Sequence, residues 1–299
     1  MKSFARLSCT ITVAALAGAA ATAPPVAQAS VRGQQVIYVP CRTDALAAAI
    51  STANSHGSGI LILSGQCTYD ITTPATAADG LPAINADISM TGGKYTVIRR
   101  GPAAATAFRI LDVAAGGTLS LTGISIRNGD TSGFGGGIQN AGTVRLTAVS
   151  LSGNTAGNGG ALANLAGAAA SVSGVLITDN KTIGVGGGGI INSGMLKLSG
   201  STVTGNSAPI NGGGLNTQPP GTSRIAQSTF ARNVSGGLGG GISNLGTTSL
   251  SRSTVRLNQG SSGGGIATGN SNVTLHDSVI SSNTPDNCSP LNTTPGCRN

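Results

Sequence analysis

Apolar residues recur along most of this chain in short alternating runs. Ile138, Leu162, Ile190, Leu215, Ile242 and Ile266 each follow a glycine string, in order GGGIQN from Gly135, GGALAN from Gly159, GGGIIN from Gly187, GGGLNT from Gly212, GGGISN from Gly239 and GGGIAT from Gly263. The strings start 24, 28, 25, 27 and 24 residues apart. A second series, Leu121, Leu146, Val172, Leu198, Ile225, Leu250 and Leu275, closes runs such as GTLSL or GMLKL. A third, Ile126, Leu151, Ile177, Val203, Phe230, Val255 and Ile280, stands five residues beyond the second. Three alternating segments per period predict three strands in each turn of a solenoid.

Helical repeats conflict with this alternation and with glycine in helix interiors. A propeller blade needs about 40 to 50 residues. Coils of about 25 residues therefore predict an all-β fold, a right-handed single-stranded parallel β-helix whose coils stack ~4.8 Å apart. The glycines would give the chain unusual backbone angles and let neighbouring coils approach closely. Asn154, Asn180, Asn206, Asn233, Asn258 and Asn283 lie three residues beyond the third series and mark a corner. Asn is expected there because it tolerates a left-handed bend and can hydrogen-bond from coil to coil. Asn140, Asn164, Asn192 and Asn244 form a second column, two residues after the first aliphatic series. Regular repetition along the axis favours a structural ladder over substrate contact for both.

The ends break the pattern. Residues 1–29 combine the basic start MKSFAR, the apolar LSCTITVAALAGAAATA and the small-residue PPVAQA, which read as a secretory signal peptide cut after Ala29. The alternative is a membrane anchor, although the apolar stretch is short of the ~20 residues a span needs. No later segment is long enough to span a bilayer. Residues 30–83 read as an N-terminal cap, with a short helix over 44–54 that has Thr43 as N-cap and covers the first coil. The repeats occupy 84–284, and the Pro-rich polar stretch 285–299 reads as the opposite cap. Cys41 and Cys67 lie near one end of the mature chain and Cys288 and Cys297 near the other. Disulfides 41–67 and 288–297 are expected in an oxidising compartment, with buried free thiols as the alternative.

Composition changes the picture in two ways. The chain has 48 Gly, no Trp and only 9% charged residues, which argues for folding over disorder. Without Lys2 and Arg6, 15 basic residues face 9 Asp and no Glu, leaving a net charge of +6.

The GGGI-x-N strings and the pattern [ST]-x-[VIF]-x-x-N resemble the repeats of polymorphic outer membrane proteins, whose motifs are GGA[ILV] and FxxN. GGAL at 159–162 and FARN at 230–233 match them literally. More broadly, the chain resembles small secreted bacterial proteins of the pectin-lyase-like β-helix superfamily. That resemblance covers about residues 84–284 and implies the fold more than an activity, because one fold hosts many functions. The family's outer-membrane β-barrel has no counterpart after these repeats, so an autotransported adhesin's role is not expected to carry over directly.

The superfamily includes polysaccharide lyases and hydrolases, so carboxylates matter. Glycoside hydrolysis generally uses two of them ~5 to 9.5 Å apart. Asp112 and Asp130 are the nearest candidate pair, with exposed turn roles as the plainer reading. Lyase chemistry would need a Ca²⁺ site of clustered carboxylates and a base, and no Asp cluster is visible. His56 and His276 lie near opposite ends, and His276 beside Asp277 reads as a solvated pair. No catalytic, cofactor or metal residue is assigned, and no cofactor is expected. Coils without long insertions predict a smooth surface, whereas enzyme clefts usually need long loops.

Arg145, Lys197 and Arg224 each precede a residue of the second series and are expected on one outward face, interrupted by Ser120, Ser171, Ser249 and Thr274. Such a stripe could attract an anionic polysaccharide or cell-wall polymer such as pectate or teichoic acid. Scattered solubilising charge is the plainer reading. Six aromatic residues in the mature chain are too few for an aromatic sugar platform or a nucleic-acid stacking surface. The expectation is a secreted, extracellular, non-catalytic β-helix with a binding or structural role. The alternative is a carbohydrate-active enzyme of the pectin-lyase-like class.

Overall fold

The structure is a computed structural model describing residues 28–31, 34–270, 272–290 and 294–298. It is a right-handed parallel β-helix of about 10 turns, roughly 26 residues each, with one short helix. One coil shows the path. Met195–Ser199 alternates outward and buried positions, Gly200 bends the chain into Thr202–Thr204, and Gly205 bends it again. Ser207–Ala208 follows, then the glycine string, then Leu215–Thr217. Each strand pairs in parallel with its counterpart one coil on, as Lys197 with Arg224, Val203 with Phe230 and Leu215 with Ile242. First and second strands share an 18-stranded sheet and third strands form an 8-stranded one. Thr155–Ala156, Lys181–Thr182, Ser207–Ala208 and Val234–Ser235 add a 4-stranded sheet that the hydrophobic pattern does not signal.

The first aliphatic series is fully buried, and the other two stay within 2% exposure until the last coil. Burying one such side chain contributes about 1.5–3 kcal/mol. The same contacts recur in every coil and hold the stack together.

The corners differ from expectation. Left-handed φ falls on the residue before each ladder asparagine, on Gly153, Asp179, Gly205, Arg232, Leu257 and Ser282. The asparagines are committed inward instead. Asn180 is almost fully buried, and its Nδ2 donates to Asn206 Oδ1 at 2.9 Å and to Leu151 O at 3.0 Å. Its backbone N–H donates to the same Oδ1. A buried amide so fully bonded leaves the bend to its predecessor. The same links join 154 to 180, 206 to 233, 233 to 258 and 258 to 283. In the first clear coil Asn128 takes the bend itself, and the N–H of Gly129 meets Asn154 Oδ1.

The second column links Asn140, Asn164 and Asn192 at 2.7 Å per step, breaks at Thr217 and resumes at Asn244. A third ladder, made of serines, has no marker in the sequence pattern. The hydroxyls of Ser201, Ser228, Ser253 and Ser278 each accept from a backbone N–H one coil earlier. In the glycine strings, Gly187 has φ of 74°, and a Cβ on Gly188 would stand 2.4 Å from Ser207 O. The first glycine serves the bend and the second the close approach.

At the N-terminal end, β1 (Gln28–Val31) pairs antiparallel with β2 (Gln34–Val39). Of the expected signal peptide, only Gln28 and Ala29 fall among the described residues, in β1. Helix α1 (Thr43–Ser55) then buries Ala45, Leu46, Ala49, Ile50 and Ala53. Thr43 Oγ1 donates to Asp70 O, while Asn54 Nδ2 donates to Ala83 O and its Oδ1 accepts from the Asn85 N–H. Its two ends are thus tied to opposite sides of the first coil, so the apolar face lies over the lumen. Thr43 is not the N-cap. Arg42 holds that position without a side-chain cap, because the Thr43 hydroxyl is used against the neighbouring strand. A disulfide joins Cys41 to Cys67.

After β3 (Ser58–Leu63) and β4 (Thr68–Ile71) comes the long β5 (Asp87–Arg100). Then follow β6 (Leu111–Val113), β7 (Thr118–Arg127) and β8 (Ile138–Asn140). Pairing of β5 with β7 shifts register between Thr91 and Thr96. Residues 92–95 therefore stand opposite the single bend residue Gly123 and leave the surface as an excursion. The expected smooth surface is corrected at this point.

At the other end, Cys288–Ser289 extends the 8-stranded sheet and Cys288 is joined to Cys297. Asn287 Oδ1 accepts from the N–H and Nδ2 of Asn283, standing in for the next rung.

Candidate functional site

Parallel register places Ser120, Arg145, Ser171, Lys197, Arg224, Ser249 and Thr274 in one outward row. Lys197 and Arg224 are direct neighbours, and Arg145 lies two coils from Lys197. Among the described residues none of these three cations forms an ion pair. The outward positions of first strands between Thr118 and Ser251, and of second strands between Ser125 and Arg256, carry no carboxylate. They are mostly Ser and Thr.

A groove follows the junction between first and second strands. It encloses about 410 Å³ and is lined by Lys94, Ser125, Ala148, Ser150, Gly174 and Leu176 among others. Gly123, Ala148 and Gly174 are the left-handed bend residues of successive coils, so the groove runs parallel to the axis. The 92–95 excursion puts Lys94 at one end, where its Nζ lies 5.3 Å from the ring centre of the exposed Tyr95.

The carboxylates group differently from the expected pair. Asp112 and Gln139 are register neighbours on β6 and β8, and Gln139 Nε2 donates to Asp112 Oδ1 at 2.8 Å. Arg109 Nη1 donates to Gln139 Oε1 at 2.5 Å and to Phe134 O at 2.7 Å, while its Nε donates to Asp79 Oδ1 at 2.6 Å. Burial pushes the Asp112 carboxyl above its ordinary range, and the charge of Asp79 adds to this against the opposing effects of Gln139 and Arg109. Asp130 is outside this network. Its backbone N–H donates to Phe108 O and it bridges to Thr155. The network ties the first glycine loop to the coil below it. Asp79, Arg109 and Gln139 recur every 30 residues, a signal hidden by the looser period of this region.

His276 Nδ1 lies 2.9 Å from Asp277 Oδ2 with both side chains well exposed. His56, at the C-terminus of α1, bonds to Thr52 O. The structure does not bring the two histidines together. Among the described residues no three potential ligands could hold a metal ion, and no helix is long and apolar enough to cross a membrane. No family model matches the chain, and neither a curated protein nor a solved structure matches it.

Proposed function

We propose that this protein is secreted and works outside the cell or at its surface as a non-catalytic β-helix that binds a polymer on the outer face of its large sheet. The observation that carries the reading is the in-register row of Arg145, Lys197 and Arg224, cations without an ion pair among the described residues, on the hydroxyl-rich stretch from Thr118 to Arg256 whose outward strand positions carry no carboxylate. Such a surface attracts polyanions, which makes an anionic polysaccharide or cell-wall polymer the proposed partner. Two disulfides suit an oxidising compartment. On this reading the chain is akin to pectin-lyase-like β-helices bearing polymorphic outer membrane protein-like repeats, a likeness supported by its glycine strings and ladder motifs. The test is incubation of the mature protein with neutral and anionic polysaccharides, with and without Ca²⁺. It follows retention, new reducing ends and unsaturated uronate absorbance. Retention without product supports the reading, and product on any substrate overturns it.

One observation favours a second reading, a carbohydrate-active enzyme. Asp112, a part-buried carboxyl raised by burial, shares a network with Asp79, and raised carboxyls serve as general acids. Loss of product in Asp112→Asn would support this alternative.

A further inference from the structure

We propose that a solvent-facing apolar corner of the middle coils, built from Ile183, Val185, Ile210, Val234 and Leu238, rests on an anionic lipid surface, with Lys181 and Arg232 meeting its phosphate headgroups. This corner lies away from the outer face of the large sheet and does not depend on polymer binding there. Exposure is the first reason. The five side chains stand in or just after the strands of the 4-stranded sheet, and each is 43% to 56% exposed. The Asn211 N–H donates to Val185 O and the Leu238 N–H to Ile210 O, which stacks these segments in three successive coils over about 10 Å. Polar residues bound the patch along the axis. Asn158 Oδ1 accepts from the Val185 N–H on one side, and Ser262 is the register neighbour of Leu238 on the other. A contiguous exposed apolar patch with a polar rim marks an interaction site.

Charge decides the occupant. Between Asp179 and Asp277 the chain has six cations, Lys181, Lys197, Arg224, Arg232, Arg252 and Arg256, and no carboxylate. Lys181 stands two residues before Ile183 and Arg232 two before Val234, both exposed and neither in an ion pair among the described residues. Asp179 is the one carboxylate at this border, and its Oδ2 accepts from Thr178 Oγ1 at 3.0 Å. A second copy of the chain seated on the patch would bring a cationic border against its own image, whereas an anionic surface meets that border favourably. Shape agrees with charge. The patch lies on the edge between the 4-stranded and 8-stranded sheets, so its side chains project from a convex corner. Aliphatic side chains on such an edge can enter the boundary between headgroups and acyl chains, about 5–10 Å deep, while flanking Lys and Arg add attraction to anionic lipid. A depression of about 400 Å³, lined by Lys181, Ile183, Ser207 and Pro209 among others, sets Lys181 beside space for a headgroup.

The experiment is co-sedimentation of the mature full chain with large vesicles of phosphatidylcholine alone and of phosphatidylcholine with about 30% phosphatidylglycerol, at about 100 mM salt. Ile183→Ser with Leu238→Ser removes apolar side chains from the corner, and Lys181→Gln with Arg232→Gln removes its charge. Lys94→Gln with Arg252→Gln, and Met195→Ser, all away from the corner, control for loss of charge and of apolar surface. Circular dichroism and thermal midpoints check that each variant is folded, and Val185→Ser with Ile210→Ser serves if the first pair is not. The wild type is expected to bind the anionic vesicles and not the neutral ones. Each corner pair should lower that affinity about tenfold, against less than about twofold for the controls. Equal binding by the wild type and either corner pair, or no vesicle binding by the wild type, would overturn the inference. Equal binding to the two kinds of vesicle would overturn the assignment to an anionic surface. A dimer in sedimentation velocity that Ile183→Ser with Leu238→Ser dissociates, without vesicle binding, would give the patch to a second copy instead. Retention of the corner variants on polysaccharides should match the wild type, which keeps this result separate from the polymer-binding reading.

Discussion

At the N-terminal end Leu46 and Ile50 of α1 are completely buried and β1 shields the edge of β2. At the C-terminal end Leu275 and Ile280 are only part-buried, Val279 is 56% exposed, and Val273–His276 and Val279–Ser281 each pair with one neighbour. A repeat of this kind buries its apolar columns against the next coil, so each end depends on something outside the repeat. The helix brings an apolar face and covers the lumen. The C-terminal tail brings Asn287 and a disulfide, which complete the polar ladder but leave the aliphatic columns partly open.

Charge substitution would test this asymmetry most severely. Ile50→Asp places an unpaired carboxylate in the N-terminal cap and is expected to cost at least about 4 kcal/mol, whereas exposed Val279→Asp should stay within about 0.5 kcal/mol. Urea unfolding of both variants measures the contrast, and equal costs would break it. Truncation is milder. Leu198→Ala in a middle coil should cost about 2–5 kcal/mol and Leu275→Ala about half as much, because the end site is already partly hydrated. Hydrogen exchange should also show the last coil opening before the middle ones.

The ladder offers a finer comparison. Asn206→Ala strands buried backbone groups on both sides and should cost about 2–3 kcal/mol, against about 1 kcal/mol for Asn287→Ala at the end. Leu257, 43% exposed in a left-handed bend, should behave in the opposite sense. Leu257→Gly relieves the backbone and is expected to raise stability by about 1 kcal/mol, seen as a higher thermal midpoint.

The smallest effect concerns Asp112. Its folded pKa lies above the unfolded value, so between the two the folded state holds more protons. Its contribution is fully present below the unfolded pKa and is lost as pH rises through the folded one. Asp112→Asn should flatten that decline, in denaturation curves compared from acid to neutral pH, while leaving Gln139 its acceptor.

Much of this was legible because the repeat has constant spacing. Series at fixed offsets name the same interior sites as the structure, from Ile138 to Ile266. Position along the chain marks the ladder residues Asn154 to Asn283, but the bend belongs to the residue before each. A propensity for left-handed backbone competes with the need for a buried, fully bonded amide, and only the packed coil decides which wins. The serine ladder gives no distinct signal in the sequence because Ser is common on the surface as well. Thr43 fits the pattern of a cap without being one, because the partner of its hydroxyl, Asp70 O, lies 27 residues away. The pairing of Asp112 with Asp79 through Arg109 and Gln139, in place of Asp130, depends on coil lengths in the irregular region.

The sequence by itself determined the β-helix, the register of its coils and the residues of its three apolar columns. Each follows from periodic spacing, which survives without knowledge of the path between strands. Only the tertiary structure decided which residue bends at each corner, which carboxylates share a network, and where Lys94 stands. Those outcomes depend on how far the chain turns between strands, and that angle is set by packing against the coils above and below.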